Sequence, residues 1–492
     1  MAETAMISAT SSAVLTREPF VTPAFARAAL SYSAANLFVL LIGAVSAFAI
    51  PKLVSIEAYA ALKLFLLYGG YVGVLHFGLL DGALVHWARN PQSLSREFLS
   101  VSVAANLLCV AGCIVGTAYW YLSGRGLHGV FVVALASLAL VSIATTSFQF
   151  ASQARCCFDQ LSRLTIVQPA IFLGSVFLLT LSNNVSGKDI VLSYVSSATF
   201  AFLAYAFVMR DRISWNFQNA RETASLCTSY VRRGVFILLA NLGFNLILGL
   251  DRIYLSAHAS LKEFALYSFA ATIFYSACLM IQAMARVAFP YVSRQPIRNQ
   301  AIPSILSAQR AVLSLWAIGL SAFFPMAFLI GRFLPAYIGS IALLRIILLG
   351  LGAVALTQIV HANFFRANGM ERRLLVGTCT GLLAFGISLS VGPGFVSLNS
   401  VAWAAVIGHI SWWLANDALL WKSGLRSPLT TGRDFSSLIL IGIVYLFCSR
   451  QASACGFAAY LLFAVGGCVL VLGPKTILQV AENIVFAAEA TS

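Results

Sequence analysis

The chain has 492 residues, of which 60% are hydrophobic and only 10% charged, and its mean hydropathy is +0.89. Soluble domains carry about 25% charged residues, so this composition cannot maintain a water-facing surface and excludes a string of soluble domains. A formal charge of +15 would point to nucleic acid in a soluble protein. Here the basic residues punctuate apolar runs, as in loops held on the cytosolic side of a membrane by the positive-inside rule. The expected class is therefore an all-α polytopic membrane protein with no nucleic-acid partner.

Residues 1–26 are rich in Ser, Thr and Ala and lack a cleavable signal layout, so they read as a disordered cytosolic tail ahead of an uncleaved signal anchor. Runs of 18 or more mostly apolar residues predict about 14 transmembrane helices. Helix 1 spans 27–50 and ends at Pro51-Lys52. Helix 2 covers 59–80 and passes through Asp81-Gly82 into a loop with Arg89, Pro91 and Arg96. Helices 3 and 4 flank Ser123-Gly124-Arg125-Gly126, and helices 5 and 6 flank a polar turn at 183–189. The most basic connection follows, with Arg210, Arg212, Arg221, Arg232 and Arg233.

Helices 7 (234–255) and 8 (264–289) open the second half, and helix 9 reaches Ile330. Helix 10 returns to His361, helices 11 and 12 flank Gly392-Pro393-Gly394, and helices 13 and 14 flank 449–453. The predicted organisation is an N-terminal six-helix bundle at 27–209, a basic cytosolic linker at 210–233 and a C-terminal six-helix bundle at 234–421. Two additional transmembrane helices at 422–474 and a cytosolic tail at 475–492 complete it. Most of the 31 Lys and Arg residues fall on cytosolic loops if both termini lie inside.

An internal echo supports two related halves. Ser55-Ile56-Glu57-Ala58-Tyr59-Ala60-Ala61-Leu62 matches Ser260-Leu261-Lys262-Glu263-Phe264-Ala265-Leu266-Tyr267 in residue character, and each stretch follows a hydrophobic helix. Widely spaced internal similarity of this kind is common in transporters.

Enzymatic signatures are missing. The chain has no GxxxxGK[ST] loop, no G-x-S-x-G elbow and no HExxH helix, and its ten cysteines are scattered without a CxxC pair or a zinc-spaced His/Cys cluster. We therefore expect no enzyme activity, no cofactor and no metal.

What remains is polar residues inside apolar helices, which are costly and commonly face an internal cavity. Helix 7 aligns Asn241, Asn245 and Arg252 on one face. Helix 8 aligns Tyr267, Ala271, Tyr275, Cys278, Gln282 and Arg286, and helix 12 aligns His409, Trp413 and Asp417. Arg27 opens helix 1, Lys63 lies in helix 2 and Arg345 in helix 10. Plainer readings stand beside these. Lys63 and Arg345 are placed to snorkel to the headgroups, Arg27 and Arg286 to serve as interfacial anchors, and Asn241 and Asn245 to bond neighbouring helices. His409 also fits a packed histidine. Intramembrane cations outnumber anions, which suits an anionic passenger. A cation exporter would need buried carboxylates, for which Asp251, Asp417 and the helix-end Asp81 are the candidates.

Three stretches resemble the polysaccharide-repeat-unit flippases of the multidrug/oligosaccharidyl-lipid/polysaccharide exporter superfamily. They are NLFVLLIGAVSAFAIPKLVSIEAYAALKLF, LDRIYLSAHASLKEFALYSFA with its closing ARVAFPYVSR, and Phe365-Arg366-Ala367-Asn368-Gly369. Ala60 and Ala265 stand where such proteins often have Gly. The resemblance implies two six-helix bundles around a central cavity and two extra C-terminal helices. It also implies alternating access that flips an undecaprenyl-pyrophosphate-linked oligosaccharide across the bacterial inner membrane, for surface or exopolysaccharide biosynthesis.

On this reading Arg27, Lys63, Arg252, Arg286 and Arg345 hold the anionic pyrophosphate headgroup, helped by Asn241, Asn245 and Gln282, with His409 and Asp417 as candidates for ion coupling. The partners are the lipid-linked oligosaccharide, membrane lipids and a coupling ion, and the protein is expected to be a monomer. The alternatives are an ion-coupled multidrug exporter of the same architecture and, further off, a polysaccharide polymerase or ligase, for which the outer loops are too short.

Overall fold

The computed structural model describes residues 38–472 apart from 40, 123–128, 156, 182–184, 213–216, 218, 294–300, 369, 392–396, 422–425 and 451–452. The described residues are helical with no strand. Ten of their helices are long and apolar enough to cross a membrane, or eleven if the pair Ser340–Ile347 and Gly350–Arg366, bent by 40°, counts as one. Leu41–Leu53 and Ala454–Gly467 are shorter apolar helices. Leu398–Trp421 also has the length of a span and carries His409, Asn416 and Asp417 within it. With these, the passes run α1 to α14 in the order the hydropathy pattern predicts.

The first half comprises α1 (Leu41–Leu53), α2a (Ile56–Gly69), α2b (Leu79–Arg89), α3 (Pro91–Leu122), α4 (Gly129–Ala154), α5 (Phe158–Thr180) and α6 (Gly187–Met209). The second half comprises α7 (Ala220–His258), α8 (Leu261–Ser293), α9 (Ala301–Leu320 and Phe323–Phe333) and α10. The last of these is built from Ser340–Ile347, Gly350–Ala355, a π-helical turn at Leu356–Ala362 and Asn363–Ala367. Then come α11 (Glu371–Val391), α12 (Leu398–Trp421) and the additional pair α13 (Pro428–Cys448) and α14 (Ala454–Leu472).

Capping chemistry explains the sequence echo. Ser55 precedes α2a and accepts the Ala58 amide at 3.2 Å. At the equivalent place Ser260 and Glu263 cap the start of α8 reciprocally: Glu263 accepts from the Ser260 amide at 2.9 Å and Ser260 from the Glu263 amide at 3.3 Å. Each serine satisfies amides that a helix start leaves without partners. The repeated octets therefore begin the second helix of each half. The two helices then pack on each other, with Tyr59, Phe269 and Tyr337 in one aromatic cluster: Tyr59 and Tyr337 have ring centroids 5.5 Å apart, Phe269 and Tyr337 4.9 Å. This closes the two halves together at the end bearing Lys52, Glu57, Lys188, Asp189, Lys262 and Glu263, called here the mixed-charge end.

The opposite, basic end is organised by α7, which differs from its expected form. The segment 210–233, read as a linker, is helical from Ala220, so α7 runs unbroken for 39 residues. At 1.5 Å per residue that is roughly 58 Å, about twice the hydrocarbon thickness of a bilayer. Its first third is amphipathic. Leu226, Cys227, Tyr230 and Val231 pack into the core of the first half, while Arg221, Arg232 and Arg233 are exposed. The arginines that look like a loop in sequence form the wet ridge of a helix. Here α7 crosses α2b at close range: a Cβ on Gly234 would overlap the Gly78 carbonyl, and one on Gly82 would overlap the Tyr230 carbonyl. Tyr230 donates to Glu97 of α3 at 2.6 Å, and Trp87 of α2b donates to the same carboxylate at 3.0 Å. The second half thus reaches back and is bolted to the first.

Candidate functional site

Between the halves, on the mixed-charge side of the middle, α2a faces α7 and α8 with a set of tyrosines and two cations. Arg252 of α7 has a side chain 17% exposed. Its guanidinium lies 5.0 Å from the Tyr275 ring centre, and Nη2 donates to the Leu248 carbonyl at 3.5 Å. Its closest carboxylate, Asp251, stands 4.0 Å from Nε, at the outer limit of an ion pair. Nε itself is buried with no hydrogen-bond partner among the described residues.

Asp251 is engaged elsewhere. One oxygen accepts the Tyr267 hydroxyl of α8 at 2.7 Å and the other accepts the Arg252 backbone amide at 2.7 Å. Across the interface Lys63 of α2a places Nζ 5.1 Å from the Tyr59 ring centre, close enough to Arg252 for mutual repulsion. Tyr68 pairs with Ser256 at 3.0 Å, and Tyr71 donates to the Asn245 carbonyl at 3.2 Å. A Cβ on Gly249 would come within 2.6 Å of the Tyr71 hydroxyl oxygen, so glycine makes room for the Tyr71 side chain against α7.

The cluster is net cationic and underbonded. A planar guanidinium offers five donors in a fork that matches paired phosphate or carboxylate oxygens. Arg252 directs one at the Leu248 carbonyl and another at the Tyr275 hydroxyl, and leaves Nε idle. The Tyr275 face offsets part of the cost of taking the charge out of water. An anion arriving between α2a and α7 would find two cations whose only close carboxylate is already hydrogen-bonded.

The other residues singled out by sequence do not all converge here. Asn245 contributes its backbone carbonyl, whereas Asn241, one turn toward the basic end, is exposed. Gln282 is half-buried in the basic-end part of α8. Arg345 faces Tyr445 of α13, with its Nε buried and unpartnered among the described residues. Arg27 and the Arg286 side chain lie outside the described residues.

His409 is packed as a wedge. Nε2 donates to the Ile247 carbonyl of α7 at 3.1 Å and the ring stacks on Phe274 of α8, while a Cβ on Gly350 of α10 would collide with Nδ1. Asp417 sits in a separate network of the second half. It takes Gln309 of α9 at 3.0 Å, His361 of α10 at 2.9 Å, Arg426 through Nε and Nη2, and the Thr431 hydroxyl of α13. Arg426 continues to Asp434 at 2.9 Å, and Arg433 closes on Asp434 at 3.0 Å. With about four lone-pair positions and this many donors, the Asp417 carboxylate has none left for an ion. Sequence reading missed Gln309, His361, Arg426 and Asp434. The available signal was a run of acid and base, Asp417, Arg426, Asp434, across one helix junction.

Fold and site together describe a polytopic helical membrane protein whose two halves meet at a charged interface. No protein-family model and no curated protein matches the sequence. Among solved structures, the chain is similar to the lipid II flippase MurJ in its inward closed conformation, with TM-score 0.66 and 14% identity over 91% of this chain and 99% of that one. It is also similar to an inward-facing multidrug resistance MATE family transporter of the MOP superfamily, with TM-score 0.57 and 15% identity over 81% and 94%. The eukaryotic MATE transporter AtDTX14 follows, with TM-score 0.53 and 12% identity over 85% and 97%. The chain has the fold of MOP-superfamily transporters.

Proposed function

We propose that the chain flips an undecaprenyl-pyrophosphate-linked oligosaccharide from the cytosolic to the periplasmic leaflet of the bacterial inner membrane, by alternating access. The basic end is cytosolic on the positive-inside rule, which puts both termini inside. The observation that carries the reading is the underbonded Arg252. Its buried guanidinium, with Lys63 opposite and Asp251 held by Tyr267, is suited to a diphosphate headgroup rather than to an organic cation. The resemblance of its fold to a lipid II flippase fits a lipid-linked cargo.

During flipping the headgroup meets Arg252 and Lys63 between the halves, the sugars pass through the same interface, and the lipid tail stays in the bilayer. Extraction of lipid-linked saccharides from cells depleted of the chain tests this. A complete oligosaccharide unit accumulates on the cytosolic leaflet if the proposal holds. Unpolymerised units accumulating outside would assign the polymerase role instead, and unchanged lipid-linked pools alongside drug sensitivity would assign the multidrug exporter role.

A further inference from the structure

Helix 2 is broken inside the first half. After α2a the chain makes a 3-10 turn at Val72–His76, and then Phe77 (φ 49°) and Gly78 (φ 80°) both adopt the left-handed conformation before α2b begins. They are the positive-φ residues among those described. Gly78 takes that conformation freely, but Phe77 does so at a conformational cost that something must hold in place. The break carries a titratable pair that the cargo site does not use. His76 and Asp81 are both buried, and Nε2 of His76 stands 3.8 Å from Oδ2 of Asp81.

The geometry fixes the histidine tautomer. The Gly78 amide donates to Nδ1 at 3.1 Å, so Nδ1 is the acceptor and Nε2 carries the hydrogen that points toward Asp81. At 3.8 Å this is too long for a hydrogen bond, and Asp81 Oδ2 is buried with no hydrogen-bond partner among the described residues. The carboxyl group also bonds its own backbone amide.

Among the described side chains, the surroundings supply no other counter-charge at ion-pair distance. On α3, Glu97 is taken by Trp87 and Tyr230, and Arg96 is exposed. On α7, Arg232 and Arg233 are exposed. On α2b itself, His86 lies 3.9 Å from Glu97. Helix α4 carries no ionisable side chain on the packed stretch.

We propose that the His76–Asp81 pair is a proton-binding site, with Asp81 Oδ2 as the seat, whose occupancy sets the contact between broken helix 2 and α7. The proposal rests on the transporter reading above and adds to it the ion that moves with the cycle. Asp81 lies in the first turn of α2b, where a carboxylate favours a helix that starts at that point through the helix dipole. Ionised, it holds the break at Phe77–Gly78. A proton on Oδ2 removes that charge, so the short-helix start loses its preference and helix 2 relaxes toward a continuous form. Gly78 and Gly82 are the residues that meet Gly234 and Tyr230 of α7. Straightening at the break therefore loosens the basic-end contact between the halves.

Hydrogen exchange on the full-length chain in lipid nanodiscs, without cargo, tests this at several pH values with the intrinsic rate divided out. Peptides covering residues 72–89 and 220–234 should exchange roughly two- to fivefold faster at low pH than at neutral pH, in one transition. Asp81→Asn should show the low-pH pattern at every pH. Asp81→Glu should keep the transition, displaced upward by about 0.4 pH unit, and it serves where the Asn variant does not fold. A flat wild-type profile, a transition that survives in Asp81→Asn, or one absent or undisplaced in Asp81→Glu overturns the proposal. A transition lost in His76→Asn while Asp81 is intact moves the seat to His76 and overturns the assignment. A change driven by sodium at fixed pH assigns the site to a metal cation instead. Because no cargo is present, failure here leaves the flippase reading standing, and failure of that reading leaves this transition measurable.

Discussion

Two charged clusters lie within the second half and its interface, and they are built on opposite principles. Around Asp417 the carboxylate itself is filled: Arg426 grips it and Asp434, and Gln309, His361 and Thr431 take the remaining positions on Asp417, whose side chain and that of Arg426 are 0% exposed, although Nη1 of Arg426 and Oε1 of Gln309 find no partner among the described residues. Around Arg252, two cations share an interface with one carboxylate whose short hydrogen bonds go to the Tyr267 hydroxyl and the Arg252 backbone amide, with the guanidinium only at the outer limit of an ion pair. Burying charge is costly in both places; the first cluster offsets it with ion pairs, the second mainly with the Tyr275 ring face. The filled carboxylate ties helices together, whereas on the proposed function the Arg252 cation between the halves is left for the headgroup of the cargo.

The contrast is open to being broken by substitution. Asp417→Ala takes from Arg426 one of its two carboxylates, leaving Asp434, and strips His361, Gln309 and Thr431 of their shared acceptor. Breaking a buried ion pair by removing one partner costs up to about 3–5 kcal/mol, less where Asp434 still holds Arg426, so a clear fall in the thermal midpoint of the purified protein is expected. A thermal midpoint equal to wild type would make the Asp417 network dispensable and put the two clusters on the same footing.

Tyr267→Phe sharpens the comparison from the other side. It removes a hydrogen bond to a charged group, worth about 1.5–3 kcal/mol, and frees Asp251 to turn onto Arg252. Export of lipid-linked saccharide should fall because the cation is neutralised from within, and a second change, Asp251→Asn, should restore part of it. Export that falls further in the double variant would show that Asp251 itself serves the cargo.

Lys63→Gln is expected to have the smallest effect, because an ammonium is a point charge without the bidentate fork of Arg252. Its export defect should be milder than that of Arg252→Ala and weaken as ionic strength rises. A defect in Lys63→Gln as deep as in Arg252→Ala would place the principal anion contact on α2a.

Much of the fold was readable in the sequence because apolar span length and helix caps are local properties. Ser55 and Ser260 mark equivalent helix starts, and the structure pairs those helices across the interface. The start of α7 was hidden because its arginines occupy one face of an amphipathic helix, so a charge count resembles a loop while Leu226, Tyr230 and Val231 point inward. The break after His76 was hidden too, since Phe77 in a left-handed conformation is a tertiary outcome that no local preference announces. At the site, Arg252, Lys63 and Tyr275 were visible as polar or aromatic positions in apolar helices. Which of the candidates were already satisfied was not: Asp417 and His409 read alike in sequence, yet one is a network hub and the other a packed wedge, because their partners come from distant helices.

The central claim is that Arg252 waits for an anionic headgroup, and binding of undecaprenyl pyrophosphate to the purified chain in nanodiscs tests it most directly. Arg252→Ala should weaken that binding at least about tenfold, equivalent to about 1.4 kcal/mol, while leaving unfolding stability within about 1 kcal/mol of wild type. Equal affinity in the two proteins, or a loss of affinity accompanied by an equal loss of stability, would contradict it.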